Sequence, residues 1–139
     1  MLKQEQLIVE SRLEKLTEVQ QWFDRFCSAS NLPWIEAVFD QVNLALAEGF
    51  TNAVRHAHAH LPKETPIEID LLISPDCLEV KIWDRGEPFD PDRLAEPKPG
   101  TLKEGGYGWF LLRRLADQVD YERHERGRNC LHITKFSNS

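Results

Sequence analysis

Apolar residues along this chain change period, and each change marks an element. Across residues 34–60, Val38, Val42, Ala45, Leu46, Gly49, Ala53 and Ala57 recur at helical spacing. That pattern predicts a long central helix with one apolar stripe. Upstream, Leu13, Leu16, Val19, Phe23, Phe26 and Cys27 repeat in the same way and predict a first amphipathic helix to about residue 28. Ser11, with Glu14 three residues on, has the pattern of a capping box at its start. Residues 6–10 (QLIVE) read as a strand before it, and Ala29-Ser30-Asn31-Leu32-Pro33 breaks the two helices apart.

Beyond residue 62 the period falls to two. Ile67, Ile69, Leu71 and Ile73 alternate with Glu68, Asp70 and Leu72, and Leu78, Val80 and Ile82 alternate with Glu79, Lys81 and Trp83. Two strands joined by Ser74-Pro75-Asp76-Cys77 form an antiparallel hairpin. Each strand has one apolar face, so the sheet is expected to carry helices on one side only. Residues 87–104 hold four prolines, one glycine and several charges, which suits a mobile surface segment with at most one helical turn. Gly105-Gly106-Tyr107-Gly108 then leads into Trp109, Leu111, Leu112, Leu115 and Ala116, a third helix. Residues 119–125 and 129–136 read as two strands joined by Glu125-Arg126-Gly127-Arg128. The order β-α-α-β-β-(loop)-α-β-β predicts an α/β (α+β) two-layer sandwich. Its sheet is mixed and mainly antiparallel, covered on one face by about three helices.

Composition narrows the function classes. A chain of 139 residues suits one domain over 1–139. The formal charge is −6 and no basic stripe is present. The counterion-release term that drives nucleic-acid binding is therefore missing, and no nucleic-acid partner is expected. The opening MLKQEQLIVES has no signal-peptide apolar core, and no apolar run is long enough to span a membrane. A cytoplasmic protein without membrane contact is the expectation. Cys27, Cys77 and Cys130 are odd in number and widely spaced, which fits neither a disulfide framework nor a zinc site. They read as small apolar residues.

Three polar stretches carry candidate chemistry. Glu48, Asn52 and His56 lie four apart, so on a helix they stack along one face. They read either as one wall of a polar pocket or as a solvated face. Asp84 ends a strand and Gly86 follows. A carboxylate there would accept a hydrogen bond from the exocyclic amine of adenine and would repel the oxygen that guanine places at that position. The alternative is a turn-forming Asp. Gly105, Gly106 and Gly108 can bring bare backbone N–H groups close to an anion at the positive end of a helix, or can be an ordinary loop-to-helix turn. Asn52 offers an amide oxygen suited to magnesium that also takes phosphate oxygens. Glu48 is placed to be a general base. His56 and His60 have the spacing to share a metal, against the alternative of complementing a helix C-terminus, and His124 and His132 read as strand-surface residues. Trp22, Trp34 and Trp109 are either core residues or parts of a partner surface.

The order Glu-x-x-x-Asn on a helix, Asp-x-Gly at a strand end and Gly-x-Gly at a helix start resembles the GHKL (Bergerat) ATP-binding fold of gyrase, histidine kinases and mismatch-repair ATPases. Within it the chain looks most like the small anti-sigma factor serine kinases of the RsbW type. EGFTNAVRHAH (48–58) resembles their N box, WDRGEPFDP (83–91) their first glycine box and EGGYGWFLLRRLAD (104–117) their second. The resemblance implies ATP and Mg2+ as cofactors, with Glu48 as catalytic base and Asn52 as the magnesium ligand. It implies that Asp84 holds the adenine amine and Gly86 allows close backbone approach. Gly105, Gly106, Tyr107 and Gly108 would lie under the phosphates, and residues 88–103 would be a short lid. It further implies a STAS-type antagonist (anti-anti-sigma) protein as the serine-bearing acceptor, a sigma factor as a second partner, and a homodimer. Two departures stand out. Pro88 replaces the second glycine that histidine kinases carry in the first box. Arg128-Asn129 stands where a Gly-Thr pair is usual, which puts a threonine contact to adenine in doubt.

Three functions compete on this reading. The first is an ATP-dependent serine/threonine-protein kinase that switches partners and regulates transcription. The second is a catalytically silent module whose partner choice follows nucleotide state. The third is a detached histidine-kinase catalytic domain, which the short span between the glycine boxes disfavours.

Overall fold

The computed structural model describes residues 2–86 and 106–138, with the backbone alone along 106–109. The elements run β1 (Lys3–Glu10), α1 (Leu16–Ser28), α2 (Pro33–Asn52), β2 (Pro66–Ile73), β3 (Cys77–Asp84), α3 (Gly106–Leu115), β4 (Gln118–Arg123) and β5 (Asn129–Phe136). The expected surface segment 87–104 and Gly105 lie outside the described residues. The five strands form one sheet in the order β1-β2-β3-β5-β4. All four adjacent pairs are antiparallel, so the parallel component expected of a mixed sheet is absent among the described strands. The sheet is open, with β1 and β4 at its edges.

The two-residue alternation decides which face the helices cover. Ile67, Ile69, Leu71, Leu78, Val80 and Ile82 are buried, and they join Phe23, Phe26, Val42, Leu46 and Phe50 of α1 and α2 in one core. Phe23 and Phe39 stack across the two helices with ring centroids 5.3 Å apart. Leu112 of α3 and Leu131 and Ile133 of β5 close the core. Burial of such side chains gives roughly 1.5–3 kcal/mol each before entropy is counted. The opposite face is polar and cross-linked. Arg128 donates to Glu68 at 2.6 Å and lies over the Trp83 ring, whose Nε1 donates to Asp70 at 2.9 Å. His132 pairs with Glu79 at 2.7 Å, while His124 is exposed.

Several local expectations need correction. Strand β1 begins at Lys3, because alternation hidden by polar residues still pairs Lys3 to Glu10 with β2. The capping box does not form. Ser11 is buried and its N–H donates to the carbonyls of Lys63 and Thr65 at 2.9 and 3.0 Å. Ser11 is thus held to the segment that leads into β2, and the chain enters the 3-10 turn Leu13–Lys15 from an extended Arg12 with no side-chain cap. The central helix is α-helical only to Asn52 and then closes in a π turn, Ala53–Ala57. Trp22 is core, its Nε1 donating to Glu5 at 3.1 Å, and Trp34 packs partly buried against the core. The side chain of Trp109 lies outside the described residues. All three cysteines are free thiols, and burial pushes Cys27 and Cys130 up to about 12. No helix of the described residues is long and apolar enough to cross a membrane.

Candidate functional site

Helix α2 lies close on the sheet because position 49 has no side chain. A Cβ on Gly49 would stand 2.7 Å from Ile82 Cδ1 and 2.8 Å from Leu131 Cδ2. Glu48, beside it, is half-buried. One turn on, Asn52 is buried and its Nδ2 has no hydrogen-bond partner. The π turn then alters the register. The His58 N–H reaches back five residues to the Ala53 carbonyl at 2.9 Å. The wider turn carries His58 inward, where it is buried, and leaves His56 exposed. The expected line Glu48-Asn52-His56 therefore breaks at its third member. His60 lies past the helix end, so the four-residue helical spacing of His56 and His60 is not realised.

The strand end of β3 meets this helix end. Asp84 is buried, with 3% of its surface exposed. Its Oδ1 accepts from the Gly86 N–H at 3.0 Å and from Asn129 Nδ2 at 2.8 Å. Its Oδ2 accepts from the Tyr121 hydroxyl at 3.0 Å. Asn129 stands directly opposite Asp84 in the β3–β5 ladder, and its Nδ2 also donates to the Gly86 carbonyl at 2.9 Å. Asn129 is fully buried and its Oδ1 has no partner. Burial raises the Tyr121 phenol above its ordinary range, and the Asp84 charge and hydrogen bond raise it further.

Two contacts lock the acidic turn to the π turn. The Arg85 N–H donates to His58 Nε2 at 2.8 Å, so the ring proton of the neutral imidazole sits on Nδ1. Burial lowers the His58 pKa, the Asp84 charge opposes that and Arg85 adds to it. Gly86 passes so close that a Cβ there would stand 1.6 Å from the Ala57 carbonyl oxygen. Glycine at 86 is thus required by the protein's own helix end.

Asp84 and Asn52, from different elements, line the same cavity. Gly49, Asn52, Ala53, Ile82, Asp84, Tyr121 and Leu131 line a space of about 10 Å³, room for about one water. A larger groove of about 470 Å³, between Gln4, Gln6, Asp70, Leu72, Glu79 and Lys81, touches none of these residues. Gly106, Tyr107 and Gly108 form the first turn of α3, which packs on α2. The expected lid, 88–103, lies outside the described residues. Sequence reasoning did not place His58 or Tyr121 in the constellation, and it met Asn129 only as a departure from the Gly-Thr pair expected beside the adenine. The inward phase of Tyr121 in its strand, two positions from Val119, was a signal for that residue.

A family model described as the histidine kinase-like ATPase domain matches residues 9–135, which includes every residue of this constellation. The chain belongs to that family. Among its relatives is the serine-protein kinase RsbW of Halalkalibacterium halodurans, 32% identical over 116 residues, covering 78% of this chain and 68% of the relative. RsbW of Bacillus subtilis is 32% identical over 104 residues, 69% of this chain and 64% of the relative. RsbW of Oceanobacillus iheyensis is 35% identical over 88 residues, 58% of this chain and 55% of the relative. The chain thus spans between about half and two thirds of these relatives' length.

Proposed function

We propose that this chain is an ATP-dependent serine/threonine-protein kinase of the anti-sigma factor type, which phosphorylates a small antagonist protein and changes partner with nucleotide state. The observation that carries the reading is the meeting of Asp84 and Asn52 on one cavity beneath the helix α2. Asn52 is buried there with its Nδ2 donor unpaired, which fits a residue awaiting a hydrogen-bond acceptor such as a phosphate or ribose oxygen. The names of the RsbW relatives support the kinase part.

Each role follows from chemistry at a stated atom. Asp84 is a buried acceptor, so it would bind a base that donates an amine and exclude one that presents an oxygen. Asn52 would give its neutral Oδ1 to Mg2+, which when bound offsets the charge of the phosphates. Gly106, Tyr107 and Gly108, with Gly105 before them, would offer N–H groups at the positive end of α3 to those phosphates. Glu48, half-buried one turn before Asn52, would take the proton of the acceptor serine hydroxyl. A homodimer and a sigma factor as second partner belong to the same reading.

Calorimetric titration of Mg-ATP, Mg-ADP and Mg-GTP into wild type and Asp84→Asn is the first test. Asp84→Asn is chosen over Asp84→Ala because alanine would strand the Gly86, Asn129 and Tyr121 donors. Adenine-selective binding, weakened about ten- to a hundredfold in Asp84→Asn, is expected. Transfer of labelled γ-phosphate to an antagonist protein should then be lost in Glu48→Gln while Mg-ATP still binds. Binding with no transfer to any antagonist would leave a nucleotide-dependent switch. Absence of binding to all three nucleotides would sink the reading.

A further inference from the structure

The base site is already occupied by a side chain of the protein. Asp84 Oδ2 holds the Tyr121 hydroxyl at 3.0 Å, and the surrounding cavity is about 10 Å³. A purine ring system needs many times that volume, so a base that bonds Oδ2 competes with the Tyr121 hydroxyl for that oxygen and for the room beside it. Gly49, Asn52, Ala53, Ile82, Asp84 and Leu131 are all buried, and displacing any of them would open the core between α2 and the sheet. Tyr121 is only partly buried against that core, and it stands on β4, which among the described strands is an edge strand paired with β5.

We propose that Tyr121 is the door of the nucleobase site: its hydroxyl holds Asp84 Oδ2 in the closed state, and an incoming base displaces it by donating its own exocyclic N–H to the same oxygen. The proposal rests on the nucleotide reading above and adds the residue that controls entry. One O–H···O bond is exchanged for one N–H···O bond, so a base with an amine at that position restores what it breaks. A base with a carbonyl there restores nothing and leaves two acceptors facing each other. The door does not alter the ratio of affinities between bases, which is set by the bound states. It lowers all of them by the closed fraction, so that a base unable to repay the exchange falls below useful affinity. Tyr121 thereby acts as a threshold on which nucleotides register at all.

The test uses the full chain with 3-fluorotyrosine incorporated. The chain has two tyrosines, Tyr107 and Tyr121, so the Tyr121 fluorine signal is the one lost in Tyr121→Phe. The solvent isotope shift of that signal between H2O and D2O should be small without ligand and should grow when Mg-ATP is added. In parallel, Tyr121→Phe removes the hydroxyl and keeps the ring, and it should bind Mg-ATP about three- to tenfold more tightly than wild type. Equal or weaker binding by Tyr121→Phe would overturn the proposal, because the hydroxyl would then be idle or part of the bound site. A fluorine signal already solvent-exposed without ligand would overturn it too. If neither protein binds Mg-ATP, the nucleotide reading fails and takes the door with it. A ligand-free signal that is still shielded would then show that the Tyr121–Asp84 contact itself is intact.

Discussion

The Asp84 carboxylate accepts from Gly86, Asn129 and Tyr121, three donors from three segments, of which only Gly86, two residues on, is close in sequence. Removing one partner of such a buried set costs more than the bond itself gives, because the remaining atom is left dry and unpaired. Asn129→Ala strips a donor from both Asp84 Oδ1 and the Gly86 carbonyl, so a loss of about 1–3 kcal/mol is expected in urea denaturation. Asn129→Asp should cost more, since it sets a second carboxylate against the first. His58 gives a pH prediction. Its folded pKa lies below the ordinary 6.5, so between those two values the unfolded chain binds a proton that the folded chain refuses. The stability that His58 contributes is complete above pH 6.5 and is lost as pH falls through the lower folded value. His58→Gln keeps an acceptor for the Arg85 N–H and does not titrate. Its melting temperature should therefore fall less than that of wild type between pH 7.5 and pH 5.5. Equal slopes in the two proteins would assign the titration to other groups.

At the level of elements, the site depends on how the end of α2 is made. A helix continued as α through residue 57 would point His58 elsewhere and leave the Arg85 N–H without its acceptor. The π turn solves this with one extra residue, and Gly86 then fits against the Ala57 carbonyl. Two glycine substitutions separate backbone contact from side-chain contact. Gly86→Ala drives a Cβ into a carbonyl that is fixed by the turn, so destabilisation at or beyond the upper end of about 1–3 kcal/mol is expected. Gly49→Ala meets the methyl ends of Ile82 and Leu131 in the core, an overpacking cost of about 1–3 kcal/mol that about 1 kcal/mol of helix propensity partly offsets. Its denaturation midpoint should fall, but less than that of Gly86→Ala, because side-chain ends give way where a backbone carbonyl does not. A Gly86→Ala protein as stable as Gly49→Ala would remove the interlock between the two turns.

For the whole molecule, ligand binding and folding are linked, because the site is assembled from α2, β3, β4 and β5 and does not exist in the unfolded chain. Mg-ATP at a hundred times its dissociation constant should add about 2.7 kcal/mol of stability. Thermal melts with increasing Mg-ATP should therefore rise by several degrees, and Asp84→Asn should show little rise at the same concentrations. The sequence by itself determined the elements and the layer they form. Helical spacing from Val38 to Ala53 and strict alternation from Ile67 to Ile82 each allow one face to be buried, and that requirement is local. It also carried the family, since the spaced Glu48, Asn52, Asp84 and glycine positions are readable as a string. Tertiary structure alone decided the rest. Ser11 has the pattern of a cap, but its N–H goes to the Lys63 and Thr65 carbonyls in the segment before β2, a contact between residues more than fifty positions apart that no local pattern records. The π turn is invisible in the pattern, since its cause is the fit of Ala57 and His58 against a turn formed by residues 85 and 86. Tyr121 and Asn129 reach Asp84 only through the register of β4, β5 and β3, and register is set by the packing of whole faces, which no single stretch of sequence records.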